Sequence, residues 1–277
     1  MNVSRLCRAA AVASALTSAA AVAAPPKGCE AMPDHAKVKA ALQAVVKEGA
    51  EGNGGLGTHM WATLVNRDGL VCVVAFSGEN RNSQWPGSRA ISAEKAYTAN
   101  SFSLPDLAFS TANLFAPTQP QGSLYGLHLT SPPNQDVIYA GEPAKYGQAD
   151  DPMVGKRPGG IVGFGGGLAL YDSKGTLVGA VGVSGDTACA DHIIAWKLRQ
   201  GLALNFVPKG LGPGNTDNLI NDYKGGASAG GFGHPSCGPA PDKILNKLHE
   251  SHAVGKKAEM MAPPAKTEPA KTEAPKK

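Results

Sequence analysis

Two stretches of this 277-residue chain share one design. THMWATLV (58–65) and LVCVVAF (70–76) are apolar runs joined by Asn66-Arg67-Asp68-Gly69. GLALY (167–171) and TLVGAVGV (176–183) are joined by Asp172-Ser173-Lys174-Gly175. Runs of this length around polar, glycine-ended turns read as β-hairpins. Four strands in one antiparallel sheet are expected. The runs are almost continuously apolar, so at least one face of the sheet must be covered, and helices are the expected cover.

The helices are legible from their spacing. Residues 34–50 place Val38, Leu42, Val45 and Val46 on one stripe, and Asp34 can cap the start. Residues 88–103 predict a helix with Ile91, Lys95, Thr98 and Phe102 on one face. That mixed face is either partly exposed or lines something polar. Asp186 or Thr187 can cap a helix reaching about Leu204, with Ala190, Ile194, Leu198 and Leu202 as its core stripe and His192 and Arg199 on another face. A short helix is expected around Lys243–His249. The class is therefore α+β.

Both ends stand outside this pattern. Arg5 and Arg8 precede an apolar, alanine-rich stretch that closes on Ala21-Val22-Ala23. This is the form of a secretory signal over 1–23, too short for a membrane anchor. No later segment is long and apolar enough to span a bilayer. The expected location is periplasmic or secreted. Residues 254–277 are dense in Pro, Ala, Lys and Glu, which cannot bury a core, and are expected to be a disordered tail. The formal charge of +4 belongs to these ends: the first holds two Arg, the second six Lys against three Glu, which leaves −1 on the rest. A nucleic-acid binder carries a basic patch on its folded part, so nucleic acid is excluded as the expected partner. Glycine lacks the three-residue period of collagen, and the 42% of hydrophobic residues is too high for a wholly disordered chain.

Between the ends, 30–210 reads as one domain interrupted at 104–160 by a long Pro- and Gly-rich insertion, and 211–253 as a C-terminal extension. With Cys7 in the signal, four cysteines remain: Cys29, Cys72, Cys189 and Cys237. An even number in an exported chain favours disulfides. Three pairings are possible; Cys189–Cys237 would staple the extension to the core. Cys189 and His192 also have a C-x-x-H spacing, one half of a metal site. No C-x-x-C-H haem attachment motif occurs.

Three segments carry the chemistry: SRAISAEKAYTA (88–99), GFGGGLALYD (163–172) and LVGAVGVSGD (177–186). Gly165, Gly166 and Gly167 offer a backbone without Cβ atoms, which a flat or bulky ligand can approach. The run precedes a strand, so it is not a dinucleotide-binding turn. A G-x-S-x-G nucleophile elbow fails because Asp186 stands where its last glycine would be. Gly179 and Gly182 imply close approach of another backbone or a ligand.

In these residues the chain resembles the GlcG/HbpS-like haem-binding family, of the DUF336 type. The resemblance spans roughly 36–204 and rests on K-A-x-T-A (Lys95 to Ala99), the triple glycine entering a strand, and G-A-x-G-V-S-G (Gly179 to Gly185). It implies a five-stranded antiparallel sheet with packed helices, assembly into homo-oligomers, and haem as the cofactor. Thr98 matches the motif threonine and is the first candidate to face the ligand, as a weak iron ligand. Lys95 would pair with a propionate, Arg157 would clamp an anionic group, and His192 would line the pocket or ligate. His128 in the insertion is the second candidate for the iron, and Met153 a soft axial one. No acid, base and nucleophile stand together. The expected function is an exported, non-enzymatic haem-binding accessory or sensory protein. The alternatives are a binding module for another small molecule serving an oxidoreductase pathway, or a purely structural oligomer.

Overall fold

The computed structural model describes residues 24–255; the expected signal and nearly all of the expected tail lie outside them. Both hairpins form as their turns dictate. β1 (Trp61–Asn66) pairs with β2 (Val71–Phe76), and β3 (Gly167–Tyr171) with β4 (Leu177–Ser184). The same device closes each turn. Asn66 Oδ1 accepts the amides of Asp68 and Leu70, and Asp172 Oδ1 those of Lys174 and Thr176. Gly69 and Gly175 take the left-handed φ values, 71° and 74°, that end such turns.

The hairpins join through β1 and β4, giving the antiparallel order β2-β1-β4-β3. The fifth strand implied by the family resemblance is absent from the described residues. Irregular segments cover both edges instead. Lys156 O accepts from Val71 N and Gly155 N donates to Val71 O beside β2, while Tyr171 bonds Leu204 and Phe206 beside β3. Each contact is too short, and too close to Gly or Pro, to extend into a ladder.

Strand alternation sends two sets of side chains to opposite faces. Ala62, Leu64, Val73, Ala75, Leu168, Leu170, Val181 and Val183 join a core with α1 (His35–Val46), α7 (Ala188–Gly201) and α8 (Pro239–Ser251). Trp61, Val65, Val74, Phe76 and Ala180 join a second core with α3 (Gly87–Phe102). A one-turn α2 (Gly49–Asn53) follows α1. Asp34 caps α1 by accepting from Lys37 N, and Thr187 caps α7 by accepting from Ala190 N. The sheet is thus covered on both faces, which explains its unbroken apolar runs.

Three helix readings change. The buried face of α3 is an alanine ladder, Ala90, Ala93, Ala96 and Ala99; Ile91 and Phe102 are only half-buried, so they do not anchor it. On α7, His192 and Arg199 are as buried as the expected stripe, because α1, α8 and the extension close over the helix. α8 is longer than the expected Lys243–His249 and buries Pro241, Leu245 and Leu248.

The 104–160 insertion has irregular structure of its own, with single turns α4 (Phe115–Thr118), α5 (Leu127–Thr130) and α6 (Gln135–Ile138). A buried ion pair between Arg89 of α3 and Asp151 pins it, and the Asp151 carboxylate also accepts from Gly147 N and Met153 N. Met153 is buried in the apolar core beneath it. The two disulfides are Cys29–Cys72, with Cα atoms 5.6 Å apart, and Cys189–Cys237, 6.1 Å apart. The second staples the extension to α7, as expected.

Candidate functional site

α3 crosses the sheet where glycine faces glycine, Gly167 opposite Gly182. A Cβ on Gly182 would collide with Ser92 O and Ala96 N of α3, and one on Gly167 would lie 2.5 Å from Lys95 O. These glycines let the helix backbone lie directly on the strands. Thr63 Oγ1 and Ser92 Oγ share a buried hydrogen bond of 2.7 Å in the same crossing.

Lys95 leaves α3 at this crossing and is fully buried. Its Nζ donates to Asp191 Oδ2 at 2.6 Å and to Val183 O at 3.1 Å, and lies 5.0 Å from the Phe164 ring centroid. Burial pushes the Lys95 ammonium below its ordinary range and Asp191 up to about 6, while their mutual attraction opposes both shifts. Asp191 Oδ1 also accepts from Asp186 N. Lys95 is therefore committed to the protein rather than to a free anion.

The glycine run is packed in the same way. Beside Gly165 lie Ala188 O and His192, beside Gly166 Val183 O and Lys95, and beside Gly167 Thr111, whose hydroxyl accepts Gly167 N at 2.8 Å. The room left by the missing Cβ atoms is taken by this chain's own groups.

His192 stands behind the run. It is fully buried, and neither ring nitrogen has a hydrogen-bond partner. Burial first, then the charge of Arg199 and the nearby His234, lowers its pKa to about 3; the Asn218 side chain opposes this without reaching hydrogen-bond geometry. The imidazole is neutral at physiological pH with a free lone pair. His234, from the extension, closes over the run: its Nδ1 lies 2.7 Å from Pro235 O, and its Nε2 lies 3.4 Å from Gly165 N. Burial lowers the pKa of His234 to about 4.

The remaining expected residues stand elsewhere. Thr98 is fully buried; its hydroxyl lies 2.7 Å from Glu94 O and 3.4 Å from Gly160 O, and accepts Val162 N. It holds the segment leading into the glycine run. Arg157 is exposed and donates from Nε to Asp68 O at 2.7 Å, in the turn at the opposite end of β1 from the run. His128 is exposed on α5. The structure thus gathers Lys95, Gly165, Gly166, Gly167 and His192, ties Thr98 in behind them, and leaves Arg157 and His128 apart. Sequence reasoning missed Asp191, His234 and Phe164. Asp191 had a readable signal, since it sits on the face of α7 shared with the capping turn; His234, far along the chain, had none.

A cavity of about 320 Å³ lies between the insertion and the extension, lined by Pro117, Gln121 and Tyr223 among others. Phe115 packs against Tyr223 at 5.0 Å and His234 at 5.1 Å between ring centroids.

The fold and this buried polar cluster define an α+β domain built around one antiparallel sheet. A family described as haem degrading protein HbpS-like matches residues 34–199, and the chain belongs to that family. Among solved structures it is similar to Klebsiella pneumoniae protein ORFY of the DUF336 family (25% identity, 61% of this chain and 90% of that one, TM-score 0.41). It is also similar to a protein solved as a PduOC–haem complex (21% identity, 59% and 91%, TM-score 0.39). A third is a double mutant of Streptomyces reticuli HbpS (20% identity, 69% and 97%, TM-score 0.35). No curated protein matches the chain.

Proposed function

We propose that this chain is an exported haem-binding accessory protein that binds rather than transforms its ligand. The observation that carries the reading is His192: a neutral, fully buried imidazole with no partner, behind the glycine run of a haem-associated family. A buried unpaired nitrogen is costly unless something uses it, and imidazole is a common haem iron ligand. This choice of residue fits haem better than Thr98, whose hydroxyl is already committed within the fold. Haem would supply a planar apolar ring for Phe164 and Phe115 to face, and the His234 segment would have to lift to admit it. Lys95 and Asp191 hold the glycine run in place from beneath.

Export is supported by the two disulfides and by the signal-like first residues. Among the described residues, no helix is long and apolar enough to cross a membrane. Exposed Trp85, Tyr125, Leu129 and Tyr139 supply apolar surface for the homo-oligomer we propose. Binding without catalysis is supported by the pairing of the interior charges with one another: Lys95 with Asp191, Arg89 with Asp151, Arg199 with Asp217.

The test is a titration of the apo-protein with hemin, followed at the Soret band. A saturable shift at one haem per chain is expected, weakened at least tenfold by His192→Ala and unchanged by His128→Ala. No saturable shift, or a shift indifferent to His192→Ala, overturns the reading. Progressive loss of the Soret band in the presence of a reductant would assign degradation instead of binding.

A further inference from the structure

The C-x-x-H spacing of Cys189 and His192 has a mirror in the extension, where His234 and Cys237 are spaced H-x-x-C. The fold brings the two halves together. Ligand atoms of Cys189, His234 and Cys237 all lie within 4.8 Å of one another. Cys189 and His234 are buried and Cys237 is half-buried. Cys189 is the second residue of α7. The His234 ring bonds Pro235 O through Nδ1, and a cation on Nε2 would displace the long, 3.4 Å hydrogen bond from Gly165 N. His192 lies beyond the 4.8 Å circle of the other three and is not part of the set.

We propose that the Cys189–Cys237 disulfide is one state of a redox-gated metal site, and that its reduced form binds a thiophilic divalent cation such as Zn²⁺ through Cys189, Cys237 and His234. A dithiol reductant, attacking at Cys237, the less buried of the two cysteines, supplies two electrons and two protons. The S–S bond breaks, two S–H bonds form, and the dithiol becomes a disulfide. The cation then displaces both thiol protons to solvent as two metal–sulfur bonds form. With metal–sulfur bonds of about 2.3 Å in a tetrahedral site, the sulfurs need to separate to only roughly 3.8 Å. Two thiolates and one imidazole with an open fourth position suit Zn²⁺ and not a hard cation. The second disulfide, between buried Cys29 and Cys72, is not part of the site.

The test uses the full chain with Cys7→Ser, reduced by a trialkylphosphine, which competes for metal less than a dithiol does. Alkylation and mass spectrometry establish that Cys189 and Cys237 are free. Co²⁺ is the optical probe and Zn²⁺ the competitor. The reduced chain is expected to bind one Co²⁺ with thiolate charge-transfer and tetrahedral d–d bands that Zn²⁺ removes. The oxidised chain is expected to lack them, His234→Ala to bind at least tenfold more weakly, and Cys29→Ser/Cys72→Ser to bind as the parent does. Equal spectra for reduced and oxidised chains, or full binding by Cys237→Ser, overturn the proposal. If reduction unfolds the chain, refolding on addition of Zn²⁺ supports the site and failure to refold overturns it.

Discussion

At the residue scale, Lys95 and Thr98 mark where a polar residue on a helix changes meaning. Their spacing with Ile91 and Phe102 implied a face that meets solvent or a ligand. The structure turns both fully inward, where every polar atom has a partner. Periodicity cannot foresee this, because the partner of Lys95 is Asp191, brought there from 96 residues away. The half-buried neighbour, Glu94, shows the opposite situation. No ion-pair partner meets it among the described residues, and burial raises its pKa to about 7. A carboxyl whose folded pKa is raised holds a proton that the unfolded chain has lost, so its contribution is full below about 4.5 and is lost as pH rises through 7. Glu94→Gln keeps the neutral form at all pH. The variant is therefore expected to gain stability on the parent steadily from pH 4.5 to 7 and to level off above, with a slope of at most one proton. Urea unfolding across that range measures it; a difference independent of pH would refute the assignment.

At the element scale, the α3–β4 crossing organises the sheet. Glycine in a strand interior was legible as a sign of close approach, and the structure identifies what approaches: the helix backbone, at Ser92 O and Ala96 N. Gly182→Ala must push α3 off the sheet and is expected to cost about 3 kcal/mol. Gly87→Ala, in the first turn of α3 with nothing within 4 Å of an added Cβ, is the matched control and is expected to change stability by less than about 0.5 kcal/mol. Equal effects of the two would show that the crossing is not close-packed. The hairpins, by contrast, were fully legible. Their turns are local, and Asn66 and Asp172 close them with hydrogen bonds to residues two and four positions on.

At the scale of the whole molecule, long segments wrap a small sheet. The Cys29–Cys72 bond fastens the chain ahead of α1 to β2, and Cys189–Cys237 fastens the extension to α7. The first closes a loop with a sequence separation of 43 residues, for which chain entropy predicts about 4 kcal/mol of stabilisation. Cys29→Ser/Cys72→Ser is expected to lower unfolding free energy by that order while leaving hemin binding intact, since neither cysteine touches the His192 cluster. A cost below about 1 kcal/mol would mean that the segment before α1 is held by packing alone. The extension also ties itself down without sulfur: Arg199 of α7 grips Asp217 through two hydrogen bonds, 2.6 and 2.8 Å, in the buried interior.

The sequence by itself determined the hairpins, the helix starts at Asp34 and at Asp186 or Thr187, and the positions where backbone must meet backbone, because turns, caps and glycines act over a few residues. It also carried the family, through motifs that lie within α3, β3 and β4. Only the tertiary structure decided that, among the described residues, the sheet has four strands and that Lys95 faces Asp191. Only it decided that Arg157 and His128 stand apart from the glycine run, and that His234 closes over it. Those facts depend on how the insertion and the extension fold back across the sheet. That path is set by pairings such as Arg89 with Asp151 and Arg199 with Asp217, between residues too distant in the chain for any local pattern to announce.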